Sequence, residues 1–468
     1  MRFHRVVIIV CVLAFSVIAV AGHDQPDAPP TRERIISIPA TPQRDGDADA
    51  GRRYVLHGDY LGSGYPYNFY ILLSLGSMAP EQTLQRADVD RRIPPSYNVF
   101  ESSNGVRVVG GLNCLGCHAS MFNGELVIGL GNSMMDWSVN EDIPADELRT
   151  LVGQQYGDPS PEREAFEQFI RGVEVLYPTV VMPFVGVNPA FTIEEVAAAH
   201  RRPDDLTWST EPLYTVGENQ VASDVPPWWH MRKKNALYYN GMGRGDFSKL
   251  IGQINVVAIR DADDAQRTND NMDDVVAFMR ALEPPSYPGD IDQLLAERGR
   301  GVFETNCTRC HGTYGEIETY PNKLVPISEV GTDPAYAEML MSSELPTWYN
   351  RSWYAQTEPA SRVEPSMAYI APPLDGIWCT APYFHNGSVP TLDAVIDSSI
   401  RPTFWERSFR DDDYDLDRIG WRFKSHDAGG TPRVYDTTVD GYRNTGHTYG
   451  DDLTDTERRA LLEYLKTL

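Results

Sequence analysis

Cysteine, positive charge and long apolar segments are all scarce in this chain, and each scarcity excludes a class of protein. Six cysteines among 468 residues are too few for a disulfide-rich scaffold. Lys and Arg total 41 against 66 Asp and Glu, and the net charge of −25 argues against nucleic acid as a partner. We therefore expect a cationic donor protein or a neutral small substrate as partner, unless the acidity serves only to keep the protein soluble.

The one long apolar run lies at the N-terminus. It extends from Val6 to Val20, follows two arginines and ends at Ala19-Val20-Ala21. A basic start, a short apolar core and small residues predict a signal peptide over residues 1–21, with an uncleaved anchor as the alternative. We therefore expect a periplasmic protein without a membrane span after cleavage. Residues 22–53 are rich in Pro, Asp and Arg without apolar periodicity, which predicts a flexible lead-in.

Four of the cysteines belong to two Cys-x-x-Cys-His motifs, at residues 114–118 and 307–311. In such a motif both thiols can add to the vinyl groups of a porphyrin, while the adjacent imidazole binds the iron as proximal ligand. A zinc site would need further Cys or His at ligand spacing, and a thioredoxin-like motif explains neither the trailing His nor the duplication. The sequence therefore predicts two covalently bound haem c groups. The residues predicted to bind them are Cys114, Cys117, His118, Cys307, Cys310 and His311, with His118 and His311 as iron ligands.

Each motif is followed, after a long intervening region, by an amphipathic helix. Residues 271–282 place their apolar side chains on one helical face. Residues 454–468 have the same form and begin with a capping box made by Thr454 and Glu457. Helices of this kind close a cytochrome c fold, so the chain is predicted to contain two cytochrome units.

The boundary between these units is predicted at Pro284-Pro285, where a helix cannot continue. Asp290 is then expected to cap the helix that leads to the second motif. The predicted domains are residues 54–285 with the first haem and residues 286–468 with the second. The predicted fold class is mainly α: two cytochrome c-like haem domains with extended loops and few short strands.

Pairs of aromatic residues between the two motifs are candidates for catalysis. Trp228 and Trp229 precede a histidine, and Tyr238 and Tyr239 follow shortly after it. In a chain that binds two haems, such rings can form an electron path or the wall of a distal pocket. The alternative is ordinary packing of aromatic side chains around the haem domain.

A late stretch contains the most specific pattern: Thr380-Ala381-Pro382-Tyr383-Phe384-His385-Asn386-Gly387, followed by Thr391-Leu392. It resembles a segment of the bacterial di-haem cytochrome c peroxidases, and it is still more similar to the version found in the di-haem rubber oxygenases and their uncharacterised relatives. The similarity extends over most of the chain from about Gly105. This resemblance implies a first haem that reacts and a second haem that transfers electrons.

The resemblance also bears on the sixth ligand of each iron. In the oxygenases the second haem has two His ligands, and the matching position here is His385. The peroxidases use a downstream Met instead, and this chain has no Met after Met367, which favours His385 over a role near a propionate. No His occurs between Ala119 and Ala199, so the first iron is expected to be open or weakly capped by Met134 or Met135.

The function implied is that of a periplasmic di-haem oxidoreductase of the peroxidase type. The first haem would react with hydrogen peroxide or O₂, and the second would pass on electrons from a periplasmic donor protein. Three alternatives stay open: a dioxygenase that cleaves an apolar substrate, a non-catalytic electron-transfer cytochrome, and a haem sensor. Calcium lies between the domains of the peroxidases, and the many carboxylates here are compatible with it, although no compact ligand loop identifies a site.

Overall fold

The computed structural model describes residues 34–74, 84, 86, 89, 92–139, 143–217 and 220–468. The predicted signal peptide lies outside these residues. Within them the chain is mainly α-helical, as the sequence predicts, with many very short antiparallel strands. None of the described helices is both long and apolar enough to cross a membrane.

The helices follow one another in short lengths along the described chain. The α-helices are α1 Ala48–His57, α2 Tyr67–Leu73, α3 Cys114–His118, α4 Ala145–Tyr156, α5 Pro161–Leu176, α6 Ala190–Ala199, α7 Phe247–Gly252, α8 Ala262–Ala281, α9 Gln293–Asn306, α10 Thr308–His311, α11 Ile327–Val330, α12 Ala335–Ser342, α13 Leu345–Arg351, α14 Trp353–Gln356, α15 Leu392–Ile396 and α16 Asp455–Leu465. Short 3₁₀ turns occur at Trp228–Arg232, Gln253–Val257, Ile377–Cys379 and Ser398–Ile400.

The strands form two- and three-stranded antiparallel sheets. They are β1 Ile36–Ser37, β2 Tyr65–Pro66, β3 Tyr97–Glu101, β4 Arg107–Gly111, β5 Ala119–Phe122, β6 Glu125–Ile128, β7 Gly243–Gly245, β8 Lys323–Pro326, β9 Ser361–Val363, β10 Ala368–Ile370, β11 Phe404–Arg407, β12 Tyr414–Asp415, β13 Gly420–Trp421, β14 Phe423–Ser425 and β15 Tyr435–Asp436. The sheet orders are β1-β8-β10, β2-β4-β3 and β14-β11-β15, together with the pairs β5-β6, β7-β9 and β12-β13.

Two helix pairs form matching crossings, α1 with α8 and α9 with α16. Both crossings depend on a glycine. A Cβ atom at Gly51 would lie 1.8 Å from the carbonyl oxygen of Asp274, and one at Gly299 would lie 1.8 Å from that of Ala460. Because no side chain fits there, the backbones approach closely in each pair. Helix α16 begins with the predicted Thr454/Glu457 capping box, and α8 buries the predicted apolar face.

Two predictions for the flanks of these helices are wrong. The lead-in predicted for residues 22–53 is ordered over its described part, because Arg44 pairs with Asp246 at 3.0 Å and with Asp273 at 2.8 Å, and α1 begins at Ala48. The cap of α9 is Asp292 instead of Asp290, since its carboxylate accepts the first free amides of that helix.

The boundary predicted between residues 285 and 286 does not separate two compact units. Strand β1 pairs with β8, so that Ile36 lies opposite Leu324 from the second predicted domain. Strand β7 pairs in the same way with β9. Residues 35–468 therefore form one unit, in which the two predicted domains share sheets.

Residues 224–252 and 370–398 form an internal repeat, which we call the first and second repeat. Tyr238 and Phe384 occupy equivalent positions and share a left-handed backbone, with φ of 65° and 71°. Each is followed by a turn in which the amide of Gly241 or Gly387 donates to its carbonyl. Left-handed aromatic residues are rare, so this shared turn is a specific feature of both copies.

The two repeats also contact each other reciprocally. The amide of Asp224 donates to the carbonyl of His385 at 2.7 Å, and the amide of Ile370 donates to the carbonyl of Tyr239 at 2.7 Å. Asp224 is equivalent to Ile370, and Tyr239 to His385, so one contact repeats the other with the copies exchanged. The chain is thus built around a local pseudo-twofold arrangement that joins its two halves.

Candidate haem-binding sites

The first Cys-x-x-Cys-His motif forms the short helix α3. Asn113 caps this helix by accepting a hydrogen bond from the amide of Leu115. The imidazole of His118 stacks on Trp228, with ring centroids 5.1 Å apart, and lies beside the carbonyl of Pro226. Burial lowers the pKa of His118 to about 4, so the ring is neutral at physiological pH. A neutral imidazole is the form that binds a metal.

The second motif continues from α9 into α10. Nδ1 of His311 donates to the carbonyl of Pro372 at 2.8 Å, which leaves Nε2 as the metal-binding nitrogen. Pro372 is equivalent to Pro226 in the internal repeat, so the carbonyl at the same position of each repeat lies beside a proximal imidazole, and at His311 it accepts a hydrogen bond. Burial also lowers the pKa of His311.

A second imidazole lies opposite His311, and it belongs to His447. The two ring centroids are 6.3 Å apart. An iron bonded to two imidazole nitrogens at about 2 Å places the ring centroids roughly 6 Å apart. His447 packs against Phe384 and Tyr449, and burial lowers its pKa to about 4. At this separation, His311 and His447 could both bind the iron of one haem.

The sixth-ligand prediction accordingly changes from His385 to His447. The imidazole of His385 stacks on Tyr369, with centroids 4.3 Å apart, and lies 6.2 Å from the ring of Tyr239. It has no ring contact with His311 among the described residues. The reciprocal backbone contacts of the two repeats fix His385 between them, away from the second motif.

The four aromatic residues predicted for catalysis lie in two different places. Trp228 contacts His118, and Nε1 of Trp229 donates to the carbonyl of Asp375 at 2.8 Å. Asp375 lies three residues beyond Pro372, which orients His311. The two tryptophans therefore lie between His118 and the segment that contacts His311, and an electron path through them stays a prediction.

The two tyrosines each contact a half-buried carboxyl group. The hydroxyl of Tyr238 lies 3.4 Å from both oxygens of Glu194, and that of Tyr239 donates to Asp224 at 3.3 Å. Burial raises the pKa of Glu194 to about 7 and that of Asp224 to about 8. The region predicted to form a distal wall is thus polar and contains groups that can hold a proton near neutral pH.

The residues at both motifs fit haem c better than a metal ion alone. Burial raises the pKa of Cys114 and of Cys307 to about 12, which opposes the thiolate that zinc requires. Over the described ranges, no three His, Cys, Asp or Glu side chains are grouped so as to hold a metal ion, and calcium therefore gains no support. Met134 packs against the apolar cluster around Trp378, a contact that accounts for it as packing.

Comparison with known proteins agrees with the site. A family model described as RoxA-like, cytochrome c-like matches residues 368–406, which contain the second repeat. The uncharacterized protein y4iJ of Sinorhizobium fredii is 30% identical over 257 residues, which cover 40% of this chain and 41% of that protein. The uncharacterized protein y4iM of the same organism is 26% identical over 295 residues, or 52% of this chain and 64% of that protein.

These matches support a haem-containing cytochrome with a c-type site. The chain spans less than two thirds of the length of either curated relative. The matches therefore indicate the kind of cofactor and leave the activity to be inferred from the site itself.

Three residues of the site were not predicted from the sequence: His447, Glu194 and Asp224. Counting the histidines would have made His447 a candidate, since His385, His426 and His447 are the only histidines after His311. The two carboxylates carry no such signal, because they are two of 66 acidic residues and nothing in their neighbours marks them.

Proposed function

We propose that this protein is a periplasmic di-haem c-type oxidoreductase of the peroxidase type. In this proposal the haem at the first motif reacts with hydrogen peroxide or O₂, and the haem at the second motif transfers electrons from a periplasmic donor protein. The proposal combines the signal-peptide pattern, the two motifs and the cytochrome c-like segment. It extends beyond the coarser conclusion that the chain is a haem-containing cytochrome.

The observation that carries the proposal is an asymmetry between the two motifs. Opposite His311 lies the imidazole of His447. Within the described part of the chain, the ring contact of His118 is with Trp228, and no second imidazole pairs with it. A six-coordinate iron is suited to electron transfer, whereas an iron with one open position can bind an oxidant.

A haem bound at each motif supplies an iron that exchanges single electrons and, where one position is open, binds a small oxidant. The other functions are performed by groups of the protein itself. The carbonyl of Pro372 orients the imidazole of His311, the carbonyl of Pro226 lies beside His118, and His447 closes the second site. Glu194 and Tyr238 keep the first pocket polar, which suits the protons that peroxide reduction consumes.

The path between the motifs is short and buried. Trp228 and Trp229 are 3% and 0% exposed. The carbonyl of Asp375 accepts hydrogen bonds from Nε1 of Trp229 at 2.8 Å and from Nε2 of His230 at 2.9 Å. This rigid contact keeps the two motifs at a fixed separation, which favours repeated single-electron transfer from the second haem to the first.

The second candidate is a dioxygenase that cleaves an apolar substrate. It is favoured by the match of residues 368–406 to a family described as RoxA-like, because the rubber oxygenases act on an apolar polymer. The polar contacts of Tyr238 and Glu194 count against it, since an apolar substrate gains nothing from a half-buried carboxyl group.

The test is a reductive titration of the purified holoprotein, followed by optical absorption, with CO and then peroxide added at each stage. We expect one haem to bind CO and to react with peroxide, and the other to stay six-coordinate throughout. Stable O₂ binding with turnover in the absence of an electron donor would favour the dioxygenase. Two haems that refuse CO at every stage would contradict both enzymes and leave an electron carrier.

A further inference from the structure

The internal repeat assigns a distal side to the first motif. In the second repeat, Phe384 packs against His447, with ring centroids 6.0 Å apart, and His447 faces the proximal His311. Tyr238 is equivalent to Phe384 and has the same left-handed backbone. Since the carbonyls of equivalent prolines also lie beside His118 and His311, Tyr238 marks the side of the first site that lies away from its proximal imidazole.

The side chains of the equivalent residues Tyr238 and Phe384 make different contacts. Its hydroxyl donates to the carboxyl group of Glu194 at 3.4 Å and accepts a hydrogen bond from Nε2 of Gln253 at 3.0 Å. Glu194 thus takes a place comparable to that of the His447 imidazole in the second half. The first half therefore has a carboxyl group where the second half has an imidazole.

A separate contact places Glu194 near the first motif. Helix α6, which contains Glu194, begins at Ala190, whose amide donates to the side chain of Asn188 at 2.7 Å. Nδ2 of the same Asn188 lies 3.4 Å from Sγ of Cys117. Glu194 is four residues beyond Ala190, or about 6 Å along the helix axis. The segment that starts the helix of Glu194 is therefore anchored at a cysteine of the first motif.

The surroundings of Glu194 contain no counter-ion. Within the described ranges, no Lys, Arg or His pairs with it, and the titratable groups that face it are the hydroxyls of Tyr238, Tyr336 and Tyr349. Its neighbour Glu195 differs, because it is turned towards Ser343, whose hydroxyl donates to it at 2.5 Å. Partial removal from water without a neighbouring cation raises the pKa of the Glu194 carboxyl group and favours its protonated form.

We propose that Glu194 is the proton donor and acceptor of the first haem pocket, positioned by Tyr238 and Gln253. This inference rests on the proposed function and names a catalytic residue for it. Reduction of hydrogen peroxide to two water molecules consumes two electrons and two protons. A haem bound at the second motif would supply the electrons singly from the donor protein. Glu194 gives one proton to the oxygen that leaves as the first water molecule, regains a proton from solvent and gives it to the oxygen that becomes the second.

The test uses the reduced holoprotein with CO as a probe of the first pocket, and it compares E194Q with the wild type by infrared spectroscopy. Gln has the shape of Glu but cannot give up a proton. We expect the C–O stretching band to shift and the carboxylic acid band of Glu194 to vanish. The matched control is E195Q, the adjacent residue on α6, which should leave both bands in place.

Kinetics give the second readout. We expect E194Q to slow peroxide reduction by about 10²-fold, the usual contribution of a general acid, while E195Q stays close to the wild type. E194D should restore part of the rate because it keeps an acid in the pocket, and this rescue would exclude a purely structural defect.

The outcomes separate the two proposals. If CO binds and both bands are the same in E194Q and the wild type, Glu194 is not in the pocket, and the proposed function survives without it. If CO does not bind to the wild type at all, the proposed function fails first and the role of Glu194 fails with it.

Discussion

The two Cys-x-x-Cys-His motifs are held by nearly the same contacts, but different residues lie opposite their proximal histidines. At both, a glycine-mediated helix crossing closes the fold, and the carbonyl of an equivalent proline lies against the proximal imidazole. At both, an aromatic residue with a left-handed backbone begins the same turn. Opposite His311, however, stands the imidazole of His447, whereas the counterpart of that turn at the first motif holds Glu194 through Tyr238.

Under the proposed function, this difference means that the repeated framework would hold the cofactor while segments outside the repeat would determine its chemistry. His447 belongs to a turn close to the C-terminal helix, and its amide is fixed by the carbonyl of Val330 at 2.7 Å. Glu194 belongs to α6, which comes before the first repeat. Duplicated scaffolds can therefore diverge in function through a few residues supplied from elsewhere in the chain.

The largest expected effect comes from disrupting the glycine-mediated helix crossing that both halves contain. In G299A the new methyl group meets the backbone of Ala460, so α9 and α16 must separate, and we expect a loss of about 3 kcal/mol in the free energy of unfolding. G51A should act similarly on α1 and α8. Thermal unfolding of the holoproteins measures both.

The matched control for this pair is G301A, on the same helix as Gly299. A Cβ atom at Gly301 has nothing within 4 Å, so alanine should stabilise the protein by about 0.5–1 kcal/mol through its higher helix propensity. Equal destabilisation by G299A and G301A would mean that the crossing does not depend on close approach of the backbones.

The next effect concerns the contact between the repeats. The carboxylate of Asp375 accepts hydrogen bonds from Arg232 at 2.7 Å and from Lys233 at 2.8 Å, both in the first repeat. Burial alone would raise the pKa of Asp375, but these two cations outweigh it and the pKa is lowered. We expect D375N to cost about 2 kcal/mol at neutral pH, because Arg232 and Lys233 lose the buried anion that they share and keep only the more exposed Glu283 and Glu318.

The pH dependence of this cost follows from the lowered pKa. The charge of Asp375 contributes stability at pH values above the ordinary Asp pKa of about 4 and loses it as the pH falls through the lower folded-state value. The difference between wild type and D375N in chemical denaturation should therefore shrink in acid. D412N, which removes an exposed partner of Arg410, should change little. A difference in stability between wild type and D375N that grows in acid would contradict a lowered pKa for Asp375.

The smallest expected effect tests the path between the motifs. W228F removes the indole that stacks on His118, and we expect electron transfer between the haems to slow by about tenfold, equivalent to about 1.4 kcal/mol of barrier. Flash photolysis of the partly reduced CO complex measures that rate. Trp137, which packs in a separate apolar cluster, provides the control as W137F. An unchanged rate in W228F would remove Trp228 from the path.

The elements nearest to the haem motifs were the most predictable from the sequence. The spacing of Cys and His is itself chemical information, and the capping box at Thr454 and the apolar face of α8 depend on local periodicity. These features need only neighbours in the sequence. They correctly predict a mainly helical chain with a cytochrome c-like segment.

Contacts between distant segments were not predictable in the same way. The pairing of β1 with β8 joins the two predicted domains although neither strand has a distinctive pattern. His385 lies in the specific motif, and yet His447, outside it, reaches the second site, because the turn that fixes it is set by long-range contacts. The internal repeat is defined by shared backbone conformations more than by shared residues.

The most direct test of the difference between the two sites is an electron paramagnetic resonance spectrum of the oxidised holoprotein, recorded for the wild type, H447A and H385A. The account predicts one low-spin and one high-spin haem in the wild type and in H385A, and conversion of the low-spin haem to high spin in H447A. Two low-spin haems in the wild type, or loss of the low-spin signal in H385A with an unchanged H447A, would contradict it.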